Sequence, residues 1–273
     1  MRNPELAWPR REQRIDEAEL LRCLGTPLDA APELLSGGLA NANVRVGSRV
    51  VRLYRRDPGT AAKEAALLRR PWRTFRVPRV LREGEGFLVL EWVAHSPLRE
   101  EHGAATGAAL AEIHGQTELV EERFDDLVGA LLEHVRPLLD ASAFAALERF
   151  APRLRAVAAK TVLVHADFKL SNLHWTDDDR LLVLDWEFAY CGAALSDIGQ
   201  LLRWAPPARF VDDFANAYRA HGARLPDDWP RLAAAFDLFN LAGLLENQAD
   251  VTSAQRLADV RGRIAETVTW LST

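Results

Sequence analysis

The sequence predicts an α+β fold: a small antiparallel β-rich N-terminal lobe with one helix, then a larger, mainly helical C-terminal lobe that includes a strand hairpin. Two observations predict this. Short β-rich runs joined by glycine-containing turns fill the first part of the chain. After about residue 93 the pattern changes to longer periods rich in Ala, Leu, Arg and Glu, which are typical of helices. We therefore expect two domains, residues 1–93 and 94–273.

The composition is that of a globular protein with a sizeable core. The 273 residues are 48% hydrophobic and 27% charged. A formal net charge of -5 disfavours a dedicated nucleic-acid-binding protein, which usually carries a basic surplus. Cys23 and Cys191 are far apart and show neither metal-ligand nor disulfide spacing. This usage is typical of a reducing cytoplasm.

The first 20 residues are charged throughout and lack the apolar run of a secretory signal. Charges interrupt every apolar stretch well before the roughly 18 residues that a membrane span requires. We therefore expect a cytoplasmic protein without a membrane segment.

The N-terminal lobe contains two hairpin signals, the turns Gly47-Ser48 and "EGEG". Its predicted elements are helices over 13–24 and 60–70 and strands over 44–46, 49–54, 77–82 and 87–92. In the C-terminal lobe we predict helices over 100–116, 137–160, 208–221, 230–247 and 253–271, with strand-like character over 161–187.

The first hairpin fixes a register. Val46 faces Arg49, and Asn43 faces Arg52. Arg52 is therefore predicted to lie beside the end of the glycine-containing turn over 36–43.

A second register joins two apolar runs around the polar turn 176–180. Trp175 faces Leu181, and Asn172 lies one residue from the partner of Asp185. The hairpin therefore brings polar side chains from both of its ends into one small volume.

The gathered side chains are Asp167, Asn172 and Asp185, and Glu187 joins them if the chain stays extended. His165 and Asp167 share one face of an extended chain. Carboxylate and amide oxygens suit Mg²⁺, which completes its shell with water and phosphate. A remaining carboxylate can accept the proton of a hydroxyl nucleophile.

The stretch "HADFKLSN" followed by "LDWE" resembles the catalytic motif and metal-binding Asp of the aminoglycoside phosphotransferase and choline kinase family. This family has a protein-kinase-like, bilobal fold. The resemblance runs from "LSGGLANANVRV" to about Trp204. It implies a small-molecule kinase, similar to the aminoglycoside phosphotransferases, that uses ATP and Mg²⁺ to phosphorylate a hydroxyl of a small polar acceptor. An antibiotic acceptor would imply a role in antibiotic resistance.

The resemblance assigns roles to residues in and near the stretch "HADFKLSN". Asp167 resembles the catalytic base, His165 the motif's structural histidine, and Lys169 a lysine near the γ-phosphate. Asp197 in "SDIG" resembles the buried Asp that braces the catalytic loop. The implied Mg²⁺ ligands are Asn172 and Asp185, which Glu187 joins in the predicted metal site.

The resemblance also implies a nucleotide site. Arg52 falls where the family places a cation on the α/β-phosphates, and Glu64 resembles its helix partner. The segment "LVLEWV" resembles the adenine-binding hinge, in which backbone groups of Glu91, Trp92 and Val93 read the base. The phosphate-covering loop "SGGLANANV" contributes Ser36, Gly37, Gly38, Asn41 and Asn43.

The sequence departs from the protein-kinase pattern at the metal-binding motif. The metal motif reads Asp-Trp-Glu rather than Asp-Phe-Gly, and no Ala-Pro-Glu follows it. This disfavours a protein kinase with an activation loop and favours the small-molecule branch.

Plain structural interpretations compete with these roles. The glycine loop can be an ordinary hairpin turn, and Asp197 a helix N-cap. Arg52, Glu64 and Lys169 can be solvated surface charges. The acidic residues of the helical tail could attract a cationic substrate but are interpreted as surface charge: Asp227, Asp228, Asp237, Glu246 and Asp250.

Two functional alternatives also remain. One is a kinase of a metabolite: choline or ethanolamine, thiamine, homoserine, a sugar or a fructosamine. The other, from a different class, is a nucleotide-binding pseudokinase or interaction module. The expected partner is a small-molecule hydroxyl acceptor, with neither nucleic acid nor membrane. The sequence leaves open the acceptor and its binding residues, the choice between ATP and GTP, and the oligomeric state.

Overall fold

A computed structural model of the chain describes residues 1, 3–8, 16–35, 41–117, 120–246 and 253–272. The chain divides into two units. The sheet unit comprises Arg10–Pro97 and Leu173–Glu187. The helical unit comprises Met1–Pro9, Leu98–Asn172 and Phe188–Thr273.

The predicted helices and strands are present in the predicted order, together with short elements that were not predicted. The strands are β1 (Glu33–Leu34), β2 (Ala42–Val46), β3 (Arg49–Leu53), β4 (Val80–Gly84), β5 (Phe87–Glu91), β6 (His95–Pro97), β7 (Thr161–Val164), β8 (Leu173–Thr176), β9 (Leu181–Val183) and β10 (Tyr190–Ala193). The helices are α1 (Glu17–Leu24), α2 (Thr60–Leu68), α3 (Gly103–His114), α4 (Leu127–Val135), α5 (Ala141–Ala158), α6 (Leu195–Leu202), α7 (Ala208–Ala220), α8 (Trp229–Glu246) and α9 (Ala254–Ser272).

An antiparallel sheet of order β1-β2-β3-β5-β4 forms the centre of the sheet unit. The predicted register is confirmed, with Val46 opposite Arg49 and Asn43 opposite Arg52. Alternate residues of β2 are buried, as expected for a strand with one face on a core. This core includes Val44 and packs against α1 through Leu20. The central position of β3 explains how Arg52 becomes buried.

The second hairpin belongs to the sheet unit. β8 pairs with β6 and with β9, and the predicted pair Trp175–Leu181 is present. Residue 76 continues the pairing, because its N–H donates to the carbonyl of Leu181 at 2.7 Å. Just beyond β9, the indole of Trp186 is fully buried and stacks on Trp72, with ring centroids 5.2 Å apart.

Close helix packing characterises the helical unit. Gly103 and Gly107 of α3 face α7, where an added Cβ would lie only 2.4 Å from the carbonyl oxygen of Phe210 and 2.2 Å from that of Phe214. A two-stranded sheet pairs β10 with β7, with Tyr190 opposite Val164. That pairing anchors the strand that leads into the predicted catalytic loop.

Several boundaries differ from the prediction. The strand expected over 77–82 is β4, which begins at Val80, and the helix expected from residue 137 begins at Ala141 after a 3₁₀ turn. Helix α4 was not predicted, although Asp126 caps it by accepting from the Gly129 N–H at 2.8 Å. Of the helix expected over 13–24, residues 13–15 lie outside the described part of the chain. Among the described residues, no helix has the length and apolarity that crossing a membrane requires.

Candidate active site

In the sheet unit the predicted site residues meet around the guanidinium of Arg52. Its Nε lies 3.1 Å from Glu64 Oε2, an ion-pair contact without hydrogen-bond geometry. Its Nη2 pairs with Asp185 and lies 3.3 Å from Glu187 Oε1. Arg52 and Glu64 are only 6% and 1% exposed, so the interpretation of either as a solvated surface charge is wrong.

The Glu64 carboxylate is held from several directions. The Tyr54 hydroxyl donates to Oε2 at 2.5 Å, and the backbone N–H of Trp186 donates to Oε1 at 3.3 Å. Burial raises the pKa of Glu64, and the opposing charge of Arg52 only partly offsets this. Burial, followed by the charge of Glu64, raises the pKa of Tyr54, which therefore stays a hydrogen-bond donor. Tyr54 was not among the predicted site residues, because a tyrosine ending a strand carries no motif signal.

Glu187 is the second buried carboxylate of this group. Its Oε2 accepts from the Asn41 amide at 2.7 Å, and Arg52 faces its Oε1. Burial, reinforced by the charge of Asp185, raises its pKa to about 7. Asn41 in turn accepts from the Arg55 N–H at 3.2 Å, which ties the end of the glycine loop to the bend that follows β3.

The structure describes only some of the other residues assigned to the phosphate-covering loop. Asn43 lies on β2 opposite Arg52. Ser36, Gly37 and Gly38 lie outside the described residues, and their assignment to the phosphate-covering loop stays a prediction.

In the predicted adenine hinge, two of the three backbone N–H groups already have partners. Glu91 donates to the carbonyl of Arg79 at 3.0 Å, and Trp92 donates to that of Ser48 at 2.7 Å. The Glu91 side chain pairs with Arg76 at 3.2 Å and with Arg79 at 2.6 Å. A base would therefore have to be read by the other backbone groups of the segment, which includes Val93.

In the helical unit Asp197 fixes the predicted catalytic loop. This carboxylate is fully buried and accepts from the backbone N–H groups of His165 and Ala166, both at 2.8 Å. The His114 ring contacts the same carboxylate at 3.1 Å. Asp197 lies in the first turn of α6, and the residue at the N-cap position is Ala194. The N-cap interpretation is therefore wrong, and the bracing role stays a prediction.

The loop orients the predicted base, Asp167. The amide of Asn172 donates to Oδ2 at 2.7 Å and to the Asp167 carbonyl at 2.9 Å, while Lys169 Nζ lies 2.9 Å from Oδ1. His165 is fully buried, and its Nδ1 contacts the Asp167 N–H at 3.3 Å. The helical unit thus brings Asp167, Lys169, Asn172 and Asp197 into one connected network.

Backbone strain coincides with both halves of the motif. Ala166 has a φ of 65° and Asp185 a φ of 69°, left-handed values that non-glycine residues seldom adopt. Each costs on the order of 1–3 kcal/mol and persists only where the surrounding contacts enforce it. Asp197 supplies such a contact at Ala166, and Arg52 supplies one at Asp185.

Sequence reasoning missed a row of charges beside Lys169. Its Nζ lies 3.6 Å from Glu5 Oε2, and Glu5 Oε1 lies 3.1 Å from Arg203 Nη1. Arg203 makes a two-pronged pair with Asp237 at 2.7 and 2.9 Å. Asp237 is only 2% exposed, so its interpretation as a surface charge is wrong. No local pattern could reveal this row, because its members come from distant parts of the chain.

The donor chemistry of the predicted Mg²⁺ ligands fits that ion, because Asn172, Asp185 and Glu187 all offer hard oxygen atoms. Asp185 is the best suited in its group, since its side chain is 22% exposed. Both oxygens of Glu187 already face partners, Arg52 and Asn41. Each oxygen keeps a further lone pair for a metal ion, but the positive charge of Arg52 beside Oε1 disfavours a cation on that side.

The chain was compared with protein families and with curated proteins. Residues 32–235 match the model of the phosphotransferase enzyme family. Among curated proteins, none matches this sequence.

Three solved structures illustrate the structural similarity. A choline/ethanolamine kinase family protein from Mesorhizobium loti is 22% identical, with a TM-score of 0.70 over 94% of each chain. The macrolide 2'-phosphotransferase MphH from Brachybacterium faecium is 19% identical, with a TM-score of 0.68 over 89% of this chain and 95% of its own. ADP-bound aminoglycoside phosphotransferase APH(2'')-Ib is 16% identical, with a TM-score of 0.65 over 93% and 99%. At these identities the similarity shows a shared fold, the predicted protein-kinase-like one.

Proposed function

We propose that this chain, which belongs to the phosphotransferase enzyme family, transfers the γ-phosphate of ATP to a hydroxyl group of a small polar acceptor. The observation that carries the proposal is the orientation of Asp167. Its two carboxylate oxygens are directed by Asn172 and Lys169 in a loop that Asp197 fixes. A carboxylate held in this way can accept the hydrogen bond of an alcohol and align its oxygen for attack.

Positioning and charge provide most of the catalysis in phosphoryl transfer. Asp167 aligns the acceptor hydroxyl and takes its proton as the new P–O bond forms. The bond between the γ-phosphorus and the bridging oxygen of ATP breaks in the same transfer, and ADP leaves. Lys169 places a positive charge beside the base, where negative charge collects on the transferred group. Arg52 carries a second positive charge, which we assign to the α/β-phosphates. When bound, Mg²⁺ would neutralise the phosphate oxygens, with Asn172, Asp185 and Glu187 as its proposed ligands.

ATP as the donor is supported by the family and by the ADP bound to one structural neighbour. The titles of the neighbours name choline or ethanolamine, macrolides and aminoglycosides as their substrate classes. We accordingly propose an acceptor hydroxyl on a small polar molecule of this range, with an aminoglycoside-like compound as the first choice and a metabolite amino alcohol as the alternative. We further propose that the enzyme works in the cytoplasm, without nucleic acid or membrane partners.

The proposal is tested by measuring ADP release with Mg²⁺·ATP against a panel of acceptors. The panel contains aminoglycosides, macrolides, choline, ethanolamine, aminopropanol, thiamine, homoserine and sugars. Release above the acceptor-free rate, together with a mass increase of one phosphate on the acceptor, would establish the reaction. If Mg²⁺·ATP stabilises the fold but no acceptor gains phosphate, the pseudokinase alternative is favoured instead.

The role of Asp167 is tested with Asp167→Asn. Loss of a positioned base typically lowers turnover by about 10²–10⁴-fold. We expect a loss of that size in a protein whose circular dichroism spectrum shows an intact fold. Asp177→Asn is the matched control, because Asp177 lies exposed in the turn after β8. Wild-type turnover in the Asp167 variant would contradict the assignment.

A further inference from the structure

The N-terminal segment Asn3–Trp8 is built into the helical unit rather than lying loose on it. Trp8 is only 8% exposed, and its Nε1 donates to Asp259 Oδ2 at 2.9 Å. Its ring meets Trp204 edge to face at 6.0 Å and lies 5.4 Å below the Arg256 guanidinium. These contacts anchor the segment to α9 and to the residues that follow α6.

The anchored segment directs Glu5 at the catalytic loop. Trp204 Nε1 donates to Glu5 Oε1 at 2.9 Å, and Arg203 donates to the same oxygen at 3.1 Å. The second oxygen, Oε2, faces Lys169 Nζ at 3.6 Å. The Glu5 side chain is 10% exposed and Lys169 is 24% exposed, so solvent screens their attraction only in part.

Charges alternate along the resulting row from Asp167 through Lys169, Glu5 and Arg203 to Asp237. Burial alone would raise the pKa of Glu5, but Lys169 and Arg203 outweigh it and lower that pKa. Burial alone would likewise lower the pKa of Lys169, but Asp167 and then Glu5 raise it. Each charge in the row is therefore stabilised by its neighbours, and Lys169 lies between two carboxylates.

We propose that Glu5 is a positioning residue, which shares the Lys169 ammonium with the Asp167 base and so weakens the hold of Lys169 on that base. The inference rests on the proposed function of Asp167 and Lys169. Without the Glu5 charge, Asp167 is the one carboxylate left beside Lys169 in the row. The ammonium already lies 2.9 Å from Oδ1, and without its second partner it holds this oxygen, which the acceptor hydroxyl needs, more tightly. Removing the Glu5 charge should therefore lower kcat and leave the KM for ATP nearly unchanged.

Glu5→Gln tests this while keeping an oxygen acceptor for Trp204. We expect kcat to fall about tenfold, a typical size for coupled neighbours, with the KM for ATP within twofold of wild type. Glu5→Asp should restore part of the loss, because it returns the charge. The matched control is Glu148→Gln on the exposed face of α5, which should leave both constants unchanged.

A double-mutant cycle separates positioning from a general structural role. If Glu5 acts through Lys169, Glu5→Gln should change kcat no further in a Lys169→Met background. An equal loss in both backgrounds, or a Glu5→Gln variant with wild-type kcat, would overturn the proposal.

A readout independent of turnover distinguishes failure of this inference from failure of the proposed function. Acylation of Lys169 by an amine-reactive ester can be followed by peptide mass spectrometry, with the exposed Lys160 as internal reference. Removing the Glu5 charge makes the amine easier to deprotonate, so Glu5→Gln should speed labelling of Lys169 and Glu148→Gln should not. Unchanged labelling in Glu5→Gln would overturn the coupling even if the kinase reaction is established.

Discussion

Arg52 and Glu64 form a buried ion pair, 3.1 Å from Nε to Oε2, across the short segment that joins β3 to α2. The pair is part of a larger group, because the same guanidinium also faces Asp185 and Glu187. One cation thus holds three carboxylates in the sheet unit. The motif that carries the predicted metal ligands is therefore coupled to the central strand.

Replacing Arg52 with Met should destabilise the protein strongly, because three buried or half-buried carboxylates would lose their common counter-ion. Removing one partner of a buried pair costs about 3–5 kcal/mol. Urea denaturation followed by circular dichroism measures the free energy of unfolding. Arg56→Met, at an exposed position of the same unit, should change it little. A loss in Arg52→Met no larger than in this control would refute the importance of the cluster.

The raised pKa of Glu187 predicts a pH dependence of stability. A carboxyl with a pKa of about 7 in the folded protein and 4.5 in the unfolded chain binds more protons when folded between these values. The free energy of unfolding should therefore fall as the pH rises through this window and level off above it. In Glu187→Gln this contribution disappears. The unfolding free energy of wild type minus that of the variant is measured from about pH 4.5 to pH 8. This difference should decrease as the pH rises. A difference that does not change with pH would contradict the raised pKa of Glu187.

Asp197→Asn should loosen the catalytic loop. The amide offers one accepting oxygen where the carboxylate offers two, so one of the N–H groups of His165 and Ala166 loses its partner. An unsatisfied buried group costs about 1–3 kcal/mol. Hydrogen exchange at these two amides should accelerate, and turnover should fall. Asp212→Asn on the exposed side of α7 provides the comparison, and protection equal to that of wild type in Asp197→Asn would disprove the bracing role.

Gly107→Ala should separate α3 from α7. Its added Cβ would lie 2.2 Å from the carbonyl oxygen of Phe214, a backbone atom that cannot move aside. Overpacking of this kind costs about 1–3 kcal/mol. By contrast, a Cβ at Gly262 in α9 meets nothing within 4 Å. Gly262→Ala should therefore stabilise the protein by about 0.5–1 kcal/mol through helix propensity. Melting temperatures that move in the same direction would contradict this difference.

The sequence alone was sufficient for the hairpin registers. A two-residue turn such as Gly47-Ser48 leaves one pairing that keeps the apolar face of β2 inside, and Val46 does face Arg49. Pairing the two apolar runs around the polar turn 176–180 likewise placed Trp175 opposite Leu181. Helix α4 is not predicted by the sequence pattern, because its apolar run is short and its N-cap, Asp126, follows other acidic residues.

The contacts of long sequence separation could not be predicted. Periodicity assigns a face to a residue but does not say which distant side chain it meets, so Asp237 looked like surface charge before its pairing with Arg203 was known. Glu5 lies outside every motif and reaches Lys169 only because Trp8 anchors its segment. Asp197 was assigned through family resemblance, since its pattern alone fits an N-cap equally well.

The stacked rings of Trp72 and Trp186 provide an intrinsic spectroscopic probe of the predicted metal-binding segment Asp185–Glu187. Their planes are inclined by only 20° at 5.2 Å, and Phe75 extends the stack at 5.9 Å from Trp186. Two indoles this close couple their excited states, and the resulting exciton signal in circular dichroism depends on their separation and mutual angle. Trp186 stands between Asp185 and Glu187 in the chain. Any rearrangement of this segment when a nucleotide binds can therefore be followed spectroscopically without attaching a label.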